Sequence, residues 1–251
     1  DDQAERARRT DLTDELVVTI DPADARDFDD AISLFDNGDG TTTLGVHIAD
    51  VSHFVPEDGT VDVEARKRAT SVYFPRKVIP MLPEVLSNGV CSLQEGEDRF
   101  CKSVFITYDA KAKVIRTKAC ESVIRSAMRL EYKQAQAVID GDTQGVDKPV
   151  AKLLKRMDRL ARAIQARRRK QGMLQMELPE VELVFDDNDK VVDAVPEDES
   201  FTHTIIEMFM VEANDAVGNL LTQLKQPYLR RVHPPPDKPG GKQFSTFVRA
   251  C

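Results

Sequence analysis

Short apolar runs dominate the first half of the chain, whereas apolar positions with helical spacing mark the second half. Polar segments at residues 36–40 and 109–112 predict turns between neighbouring strands. The apolar runs predict buried strands at residues 16–20, 31–35 and 42–48, with a further pair between 100 and 126. The first half of the chain is therefore predicted to be rich in strands.

Apolar residues recur every three to four positions in two long segments, 149–171 and 201–224, which predicts two amphipathic helices. Pro149 suits the first turn of the earlier helix, and Gly172 suits its end. The shorter predicted elements are a basic helix at 61–70, a strand passing into a helix at 126–139, and strands at 173–185 and 190–195. The second half is therefore predicted to alternate helices with short strands.

An acidic loop separates the first two predicted strands. Its five aspartates lie within ten residues and are Asp21, Asp24, Asp27, Asp29 and Asp30. Carboxylates packed this closely repel one another, so a folded chain tolerates them only in a solvated loop or beside bound cations. Because buried strands frame the loop on both sides, we favour the cation-bound alternative.

The candidate ligands in this loop are all oxygens, which suits Mg²⁺, Mn²⁺ or Ca²⁺ better than zinc. The loop does not fit an EF-hand, because Arg26 stands at its sixth position, where that motif requires glycine. Magnesium fits better, since it takes one or two protein carboxylates and keeps other positions for water and phosphate. Two such ions about 4 Å apart can hold both oxygens of a phosphodiester displacement.

Composition adds three expectations. The 251 residues are 41% hydrophobic, enough for a sizeable core, and no apolar run reaches the length of a membrane span. The net charge of −8 argues mildly against a nucleic-acid binder, although part of the acidic excess sits in the loop. Four cysteines without CxxC spacing predict reduced thiols in a cytoplasmic protein.

The pattern Asp21-x5-Asp27-x-Asp29-Asp30 resembles the signature of the RNB-domain exoribonucleases, the ribonuclease II and ribonuclease R family. Further matches follow in order at residues 46–52, 71–75, 79–84, 86–93, 206–214 and 230–236. The likeness spans about residues 10–237, and its details are closer to the ribonuclease R branch. It implies an α+β fold, with strands and long helices around a narrow RNA channel.

The resemblance also implies a function: processive hydrolysis of single-stranded RNA from its 3′ end to nucleoside 5′-monophosphates, with no DNA or membrane partner. Asp21, Asp27, Asp29 and Asp30 would hold two Mg²⁺ ions, with Mn²⁺ as a possible substitute, and Asp29 is the candidate for orienting the attacking water. The residues implied to bind RNA are Tyr73, stacked on the terminal base, and Tyr132 and Glu207, on the terminal ribose. The basic residues beside Tyr73, Arg76 and Lys77, are candidates for contacts with phosphate.

Each of these RNA-binding residues has a structural alternative. Tyr73 could be a core aromatic before a proline-limited loop, Tyr132 a core or helix-capping tyrosine, and Glu207 a solvent-exposed helix residue. His47 and His53 are interpreted as packing or hydrogen-bonding residues, because a carboxylate magnesium site needs no imidazole. The basic run at 167–170 is typical of a solvated helix end, and contact with the RNA backbone is its alternative.

The chain departs from the family pattern in one respect, since the Arg-Arg-Tyr motif expected downstream of residues 230–236 does not occur in it. We expect residues 1–10 to be a linker from an upstream domain and residues 11–251 to be part of an RNB catalytic domain, as a fragment of a longer enzyme. The alternative is a catalytically inactive RNA-binding or scaffold protein with an RNB-like fold. A calcium-binding structural module is a third interpretation.

Overall fold

A computed structural model describes residues 2–74, 77–175, 181–186, 190–196, 200–232, 234 and 238–250. The chain divides into two compact units, Asp1–Val217 and Gly218–Cys251. The helices are α1 (Asp2–Arg8), α2 (Val51–Phe54), α3 (Thr60–Arg68), α4 (Tyr132–Asp140), α5 (Lys148–Lys170), α6 (Phe201–Gln223) and α7 (Lys238–Ala250). The strands are β1 (Thr10–Asp21), β2 (Asp30–Asp36), β3 (Thr42–Ala49), β4 (Val72–Phe74), β5 (Lys77–Ile79), β6 (Asp98–Tyr108), β7 (Val114–Glu131), β8 (Val181–Phe185) and β9 (Val191–Pro196).

The first unit contains a closed barrel with the strand order β1-β2-β3-β6-β7. Consecutive strands in this order are antiparallel, and β7 closes the barrel by pairing parallel to β1. In the closing pair Asp21 lies opposite Glu131, the residue at which α4 is capped. Asp30 begins β2 at the same end of the barrel, because β2 runs antiparallel to β1. The barrel therefore brings both ends of the acidic loop to the start of α4.

The core lies between the barrel and the helices α4, α5 and α6. Ile20 and Ile32 are buried on the strand side. The helix α5 buries the apolar face that its sequence predicts, with Val150, Leu153, Leu154, Met157, Ala161 and Ile164. Full burial of one such leucine or isoleucine stabilises the fold by about 1.5–3 kcal/mol relative to an exposed position. Among the described residues, no helix combines the length and apolarity that crossing a bilayer requires.

The segment predicted to be a linker holds α1, and ion pairs attach it to the barrel. Arg9 follows the helix, and its Nη2 lies 2.7 Å from Asp50 Oδ2, with both side chains only 1% exposed. Glu5 accepts a hydrogen bond from the Nε of the same arginine at 2.6 Å. The segment is therefore packed against the barrel, and an upstream domain stays a prediction.

The strand predicted at 173–185 differs from the structure at its start. Gly172 adopts a left-handed φ of 100° after the end of α5, and the Met173 N–H donates to the Arg168 carbonyl at 3.0 Å. Because the chain turns at Gly172, residues 173–175 are not in a strand, and β8 begins at Val181. Arg76, residues 176–180 and residues 187–189 of the predicted turn lie outside the described residues.

The first two residues of the basic run at the end of α5 are not a solvated face, contrary to the first sequence interpretation, whereas contact of the run with the RNA backbone stays a prediction. Arg167 and Arg168 contact Glu212 of α6 at 2.5 and 2.7 Å, and Glu212 is 4% exposed. The Tyr108 hydroxyl donates to the other oxygen of the same carboxylate at 3.0 Å. A buried carboxylate in an otherwise apolar helix face needs such partners, and the long arginine side chains reach it from the end of α5.

The interpretation of His47, on β3, and His53, on α2, as structural residues is confirmed. The ring of His47 is buried between the hydroxyls of Ser33, at 2.9 Å, and Ser103, at 2.7 Å. His53 packs edge-on against Phe100, with ring centroids 5.0 Å apart. Both imidazoles therefore serve the packing of the barrel.

Candidate active site

The acidic loop begins and ends at one end of the barrel. Asp21 is the last residue of β1, and Asp30 is the first residue of β2. Strand pairing with β7 places Asp21 beside Glu131, and therefore next to Tyr132, the first residue of α4. The structure thus brings together two of the predicted metal ligands and one of the predicted ribose-binding residues.

The aspartates of this loop raise one another's pKa. Burial is the larger cause for Asp21, and the charge of Asp30 adds to it, so that the pKa of Asp21 rises to about 7. The pKa of Asp30 rises to about 6 through burial and the charge of Asp29. Desolvation and the charge of Asp27 raise the pKa of Asp29 as well, although its side chain faces an open cleft. A nearby cation would reverse these shifts, because it stabilises the ionised forms.

Arg129 of β7 holds the start of the acidic loop. Its Nη2 donates to the carbonyls of Pro22 and Ala23, each at 2.9 Å, and its guanidinium lies 5.3 Å from the centre of the Phe28 ring. Its positive charge lowers the pKa of Asp21 and so opposes the effect of burial. No local sequence pattern marks this residue, because its contacts depend on the parallel pairing of β1 with β7.

A second anchor holds the end of the loop. The buried Ser92 hydroxyl donates to the Arg26 carbonyl at 2.9 Å and accepts from the Phe28 N–H at 3.1 Å. The Phe28 carbonyl in turn accepts from the Leu93 N–H at 2.9 Å. These bonds fix the backbone on both sides of Asp27, so the loop presents its carboxylates from a fixed frame.

A cleft of about 600 Å³ opens beside the loop. It is lined by Asp27 and Asp29 on one side and by Tyr73 and Lys77 of the small β4–β5 hairpin on another. Tyr73 is 68% exposed, so the alternative of a core aromatic is wrong. An exposed aromatic ring and a lysine beside carboxylates can accept a stacked base and a phosphate.

Tyr132 lies next to Asp21 at the start of α4, and residues of α6 contact it there. Burial raises the pKa of Tyr132 to about 12, and the charges of Asp21 and Asp30 contribute to that shift. The His203 ring stacks on the Tyr132 ring with centroids 3.7 Å apart. Glu207 is exposed one helical turn beyond His203, on the same side of α6. No sequence pattern marks His203 as a site residue, because its contact with Tyr132 joins α6 to the distant start of α4.

The residues present fit magnesium. All four predicted ligands are carboxylates, and Asp21 Oδ2 is buried without a hydrogen-bond partner in the described part of the chain. Within those same residues, the structure brings no three Asp, Glu, His or Cys side chains close enough together to hold a metal ion, so the four predicted ligands are not assembled into one site. An open site suits Mg²⁺, which takes few protein carboxylates and fills its remaining positions with water and phosphate oxygens.

Comparisons of sequence identify the family to which the chain is similar. The RNB domain family matches residues 9–250. Ribonuclease R of Thermotoga maritima is 41% identical over 244 residues, which cover 96% of this chain and 34% of that protein. Ribonuclease R of Escherichia coli K12 is 37% identical over 244 residues, covering 96% of this chain and 30% of that protein. The chain therefore spans about a third of the length of these curated relatives.

Comparisons with solved structures lead to the same family. Mycoplasma genitalium ribonuclease R in complex with ribose-methylated single-stranded RNA superposes with a TM-score of 0.91 at 33% identity, covering 99% of this chain and 38% of that chain. Yeast Ssd1, described as a pseudonuclease, superposes with a TM-score of 0.75 at 23% identity, covering 98% of this chain and 30% of that chain, and shares the fold alone. The α+β fold expected from the sequence is confirmed by the first of these likenesses.

Proposed function

The chain belongs to the RNB domain family, and from this membership we propose that it forms part of a magnesium-dependent exoribonuclease of the ribonuclease R type. The enzyme would hydrolyse single-stranded RNA processively from the 3′ end and release nucleoside 5′-monophosphates. Because the chain spans about a third of its curated relatives, the activity is proposed for the whole protein. The described cysteines Cys91, Cys101 and Cys120 are free thiols, which favours a reducing compartment such as the cytoplasm.

The observation that carries the proposal is the position of the acidic loop between two different surfaces. The cleft with the exposed ring of Tyr73 lies on the side of Asp27 and Asp29. The start of α4, with Tyr132, lies beside Asp21 and Asp30. A 3′-terminal nucleotide needs contacts for its base, its ribose and its scissile phosphate, and these two surfaces offer side chains for all three.

Each side chain has a distinct task in the proposed reaction. Asp21, Asp27 and Asp30 would hold magnesium, and Asp29 would accept a hydrogen bond from the attacking water and so orient it towards phosphorus. Bound Mg²⁺ supplies a lowered pKa for that water and stabilises charge on the leaving 3′-oxygen. The ring of Tyr73 would stack on the terminal base, which is worth about 1–3 kcal/mol per base in other proteins.

The remaining contacts orient the nucleotide. Lys77 would neutralise one phosphate, and the Tyr132 hydroxyl and the Glu207 carboxylate would hydrogen-bond to the terminal ribose. Contacts of this kind accelerate the reaction by holding the scissile phosphate in line with the attacking water.

The test is the degradation of a 5′-labelled single-stranded RNA in Mg²⁺, by this chain and by the full-length protein that contains it. We expect the label to appear in progressively shorter products, and to remain in intact RNA after addition of EDTA or in the Asp29→Asn variant. Asp14→Asn is the matched control, because it removes the same charge from an exposed position on β1.

The outcomes separate the proposal from its alternative. Cleavage by the full-length protein that survives EDTA would contradict the magnesium site. Binding of RNA without cleavage by the full-length protein would favour an inactive RNA-binding protein of the same fold. Shortening of a 3′-labelled RNA from its 5′ end would contradict the proposed direction.

A further inference from the structure

The start of α6 holds Tyr132 by two contacts. The buried Thr202 hydroxyl donates to the Tyr132 carbonyl at 3.0 Å. The next residue, His203, lays its imidazole on the phenol ring, with centroids 3.7 Å apart and an interplanar angle of 18°. One contact fixes the backbone of Tyr132, and the other covers a face of its ring.

The orientation of His203 is itself fixed. Its Nδ1 lies 3.3 Å from the Ser200 carbonyl and 3.3 Å from the Ser200 hydroxyl. A carbonyl only accepts, so the bond to it places a proton on Nδ1. The Ser200 hydroxyl also lies 2.7 Å from Thr202 Oγ1, which ties the serine to the residue that holds the Tyr132 backbone. The imidazole is thus fixed at its edge while its face packs on Tyr132.

The stack decides where the Tyr132 hydroxyl can point. With one ring face covered, rotation of the phenol about its side-chain bonds meets the imidazole, so the hydroxyl stays on the side of Asp21 and Asp30. Glu207 projects from α6 one turn after His203. His203 therefore contacts one of the two side chains that the proposed function assigns to the ribose, and it lies one helical turn from the other.

We propose that His203 is a positioning residue, which fixes the Tyr132 ring by stacking so that the phenol and Glu207 together recognise the ribose of the 3′-terminal nucleotide. This inference rests on the proposed function, because it requires RNA to enter the aspartate site. It goes further by assigning part of the selection for RNA over DNA at the last nucleotide to a residue that touches neither the metal nor the substrate.

The experiment compares His203→Leu with His203→Phe in the full-length protein. Phenylalanine keeps a flat ring for the stack, whereas leucine has a similar bulk without one. The substrates are an RNA oligonucleotide and the same RNA with a 2′-deoxy 3′-terminal nucleotide. The control is His53→Leu, which removes an imidazole that packs on Phe100. The readout is the ratio of kcat/KM for the two substrates, together with kcat and KM for each.

We expect His203→Leu to lower kcat/KM on RNA by roughly 3- to 10-fold, in line with the strength of one aromatic pair, and to leave the 2′-deoxy substrate little changed. Preference for the ribose end then falls by the same factor. His203→Phe should keep most of the preference, and His53→Leu should keep all of it. In a Tyr132→Phe background, which already lacks the hydroxyl, His203→Leu should lower the preference no further.

Failure of the inference and failure of the proposed function give different results. If the unaltered protein neither binds nor degrades RNA, the proposed function is wrong and the inference falls with it. If the unaltered protein prefers the ribose end and His203→Leu keeps that preference, the inference alone is wrong. If His203→Leu unfolds, His203→Gln, which also removes the ring, replaces it, and equal losses of preference with and without Tyr132→Phe would contradict a role through Tyr132.

Discussion

Asp21 and Asp30 lie at the same end of an antiparallel strand pair, one as the last residue of β1 and the other as the first residue of β2. Burial raises the pKa of both side chains, and the charge of Asp30 raises that of Asp21 further. Without a cation, ionising this pair therefore costs free energy that the fold must supply. The acidic pair is therefore a local source of instability, which a bound cation would reduce.

This relationship predicts how stability depends on pH in the absence of metal. The pKa values of about 7 for Asp21 and about 6 for Asp30 lie above the ordinary range near 4. The protonated pair stabilises the fold at low pH, and that contribution is lost as the pH rises through 6 and 7. In EDTA, we expect Asp30→Asn to be more stable than the unaltered chain by about 1–2 kcal/mol at pH 8 and by little at pH 3.5, below the pKa of an unfolded aspartate.

Urea unfolding at both pH values checks this prediction, and the difference between the two proteins cancels the titration of other groups. Addition of Mg²⁺ at pH 8 should stabilise the unaltered chain more than Asp30→Asn, because binding to the native state raises the free energy of unfolding. The control variant Asp14→Asn should follow the unaltered chain throughout. A pH-independent difference between Asp30→Asn and the unaltered chain would contradict the mutual repulsion.

Because the carboxylate of Glu212 is buried, we expect even the conservative substitution Glu212→Gln to destabilise the fold. Glu212→Gln leaves Arg167 and Arg168 facing a neutral amide and removes the acceptor charge for Tyr108. We expect the free energy of unfolding to fall by about 2–4 kcal/mol, less than for a fully buried pair because both arginines keep some access to water. The matched control is Asp215→Asn on the same helix. Its carboxylate is 61% exposed, so the loss should stay below about 1 kcal/mol. Equal losses in urea unfolding would contradict this account.

The burial of His47 predicts that its imidazole stays neutral far into the acid range. Complete burial lowers its pKa to about 3, so the fold binds a proton at this position more weakly than the unfolded chain does. The stability that the neutral ring contributes is present above the ordinary pKa near 6.5, and acidification from there towards 3 removes it. Imidazole NMR signals recorded between pH 8 and pH 5 should show no titration of His47. A midpoint near 6.5 would contradict its burial.

Local patterns in the sequence predict the elements of this fold well. Helical periodicity places one long helix at 149–171 and another at 201–224, and the structure has them at Lys148–Lys170 and Phe201–Gln223. The acidic loop is equally evident, because charge repulsion within ten residues needs no knowledge of the fold. Both signals arise from neighbours in sequence, which is why they can be read without a structure.

The contacts that complete the site come from distant parts of the chain. Arg129 reaches the carbonyl of Pro22 across 107 positions, and Thr202 reaches Tyr132 across 70. These contacts depend on the barrel's closing parallel pair and on the packing of α6, and neither has a local signature. Glu212 did carry a signal, since a carboxylate in the apolar stripe of α6 requires a buried partner. The identity of that partner depends on packing.

The cleft beside the acidic loop predicts two separable effects on RNA binding. Tyr73→Leu should weaken binding by about 1–3 kcal/mol at every salt concentration, because stacking on a base involves no phosphate charge. Tyr73→Phe should bind normally. Lys77→Gln should weaken binding mainly at low salt and reduce the slope of log K against log salt by about 1, because one phosphate contact is lost.

Fluorescence anisotropy of a 5′-labelled RNA, measured in the Asp29→Asn background to prevent degradation, separates the two effects. The control for Lys77→Gln is Lys118→Gln, which removes the same charge from an exposed position on β7 away from the cleft lining. If Lys118→Gln changes the salt slope as much as Lys77→Gln does, the lysine effect reflects net charge rather than a contact in the cleft. If Tyr73→Leu changes the slope while Tyr73→Phe does not, the ring orders a phosphate contact instead of stacking on a base. Affinity lost at constant slope for Tyr73→Leu, with slope lost for Lys77→Gln alone, is the result that the geometry of this cleft requires.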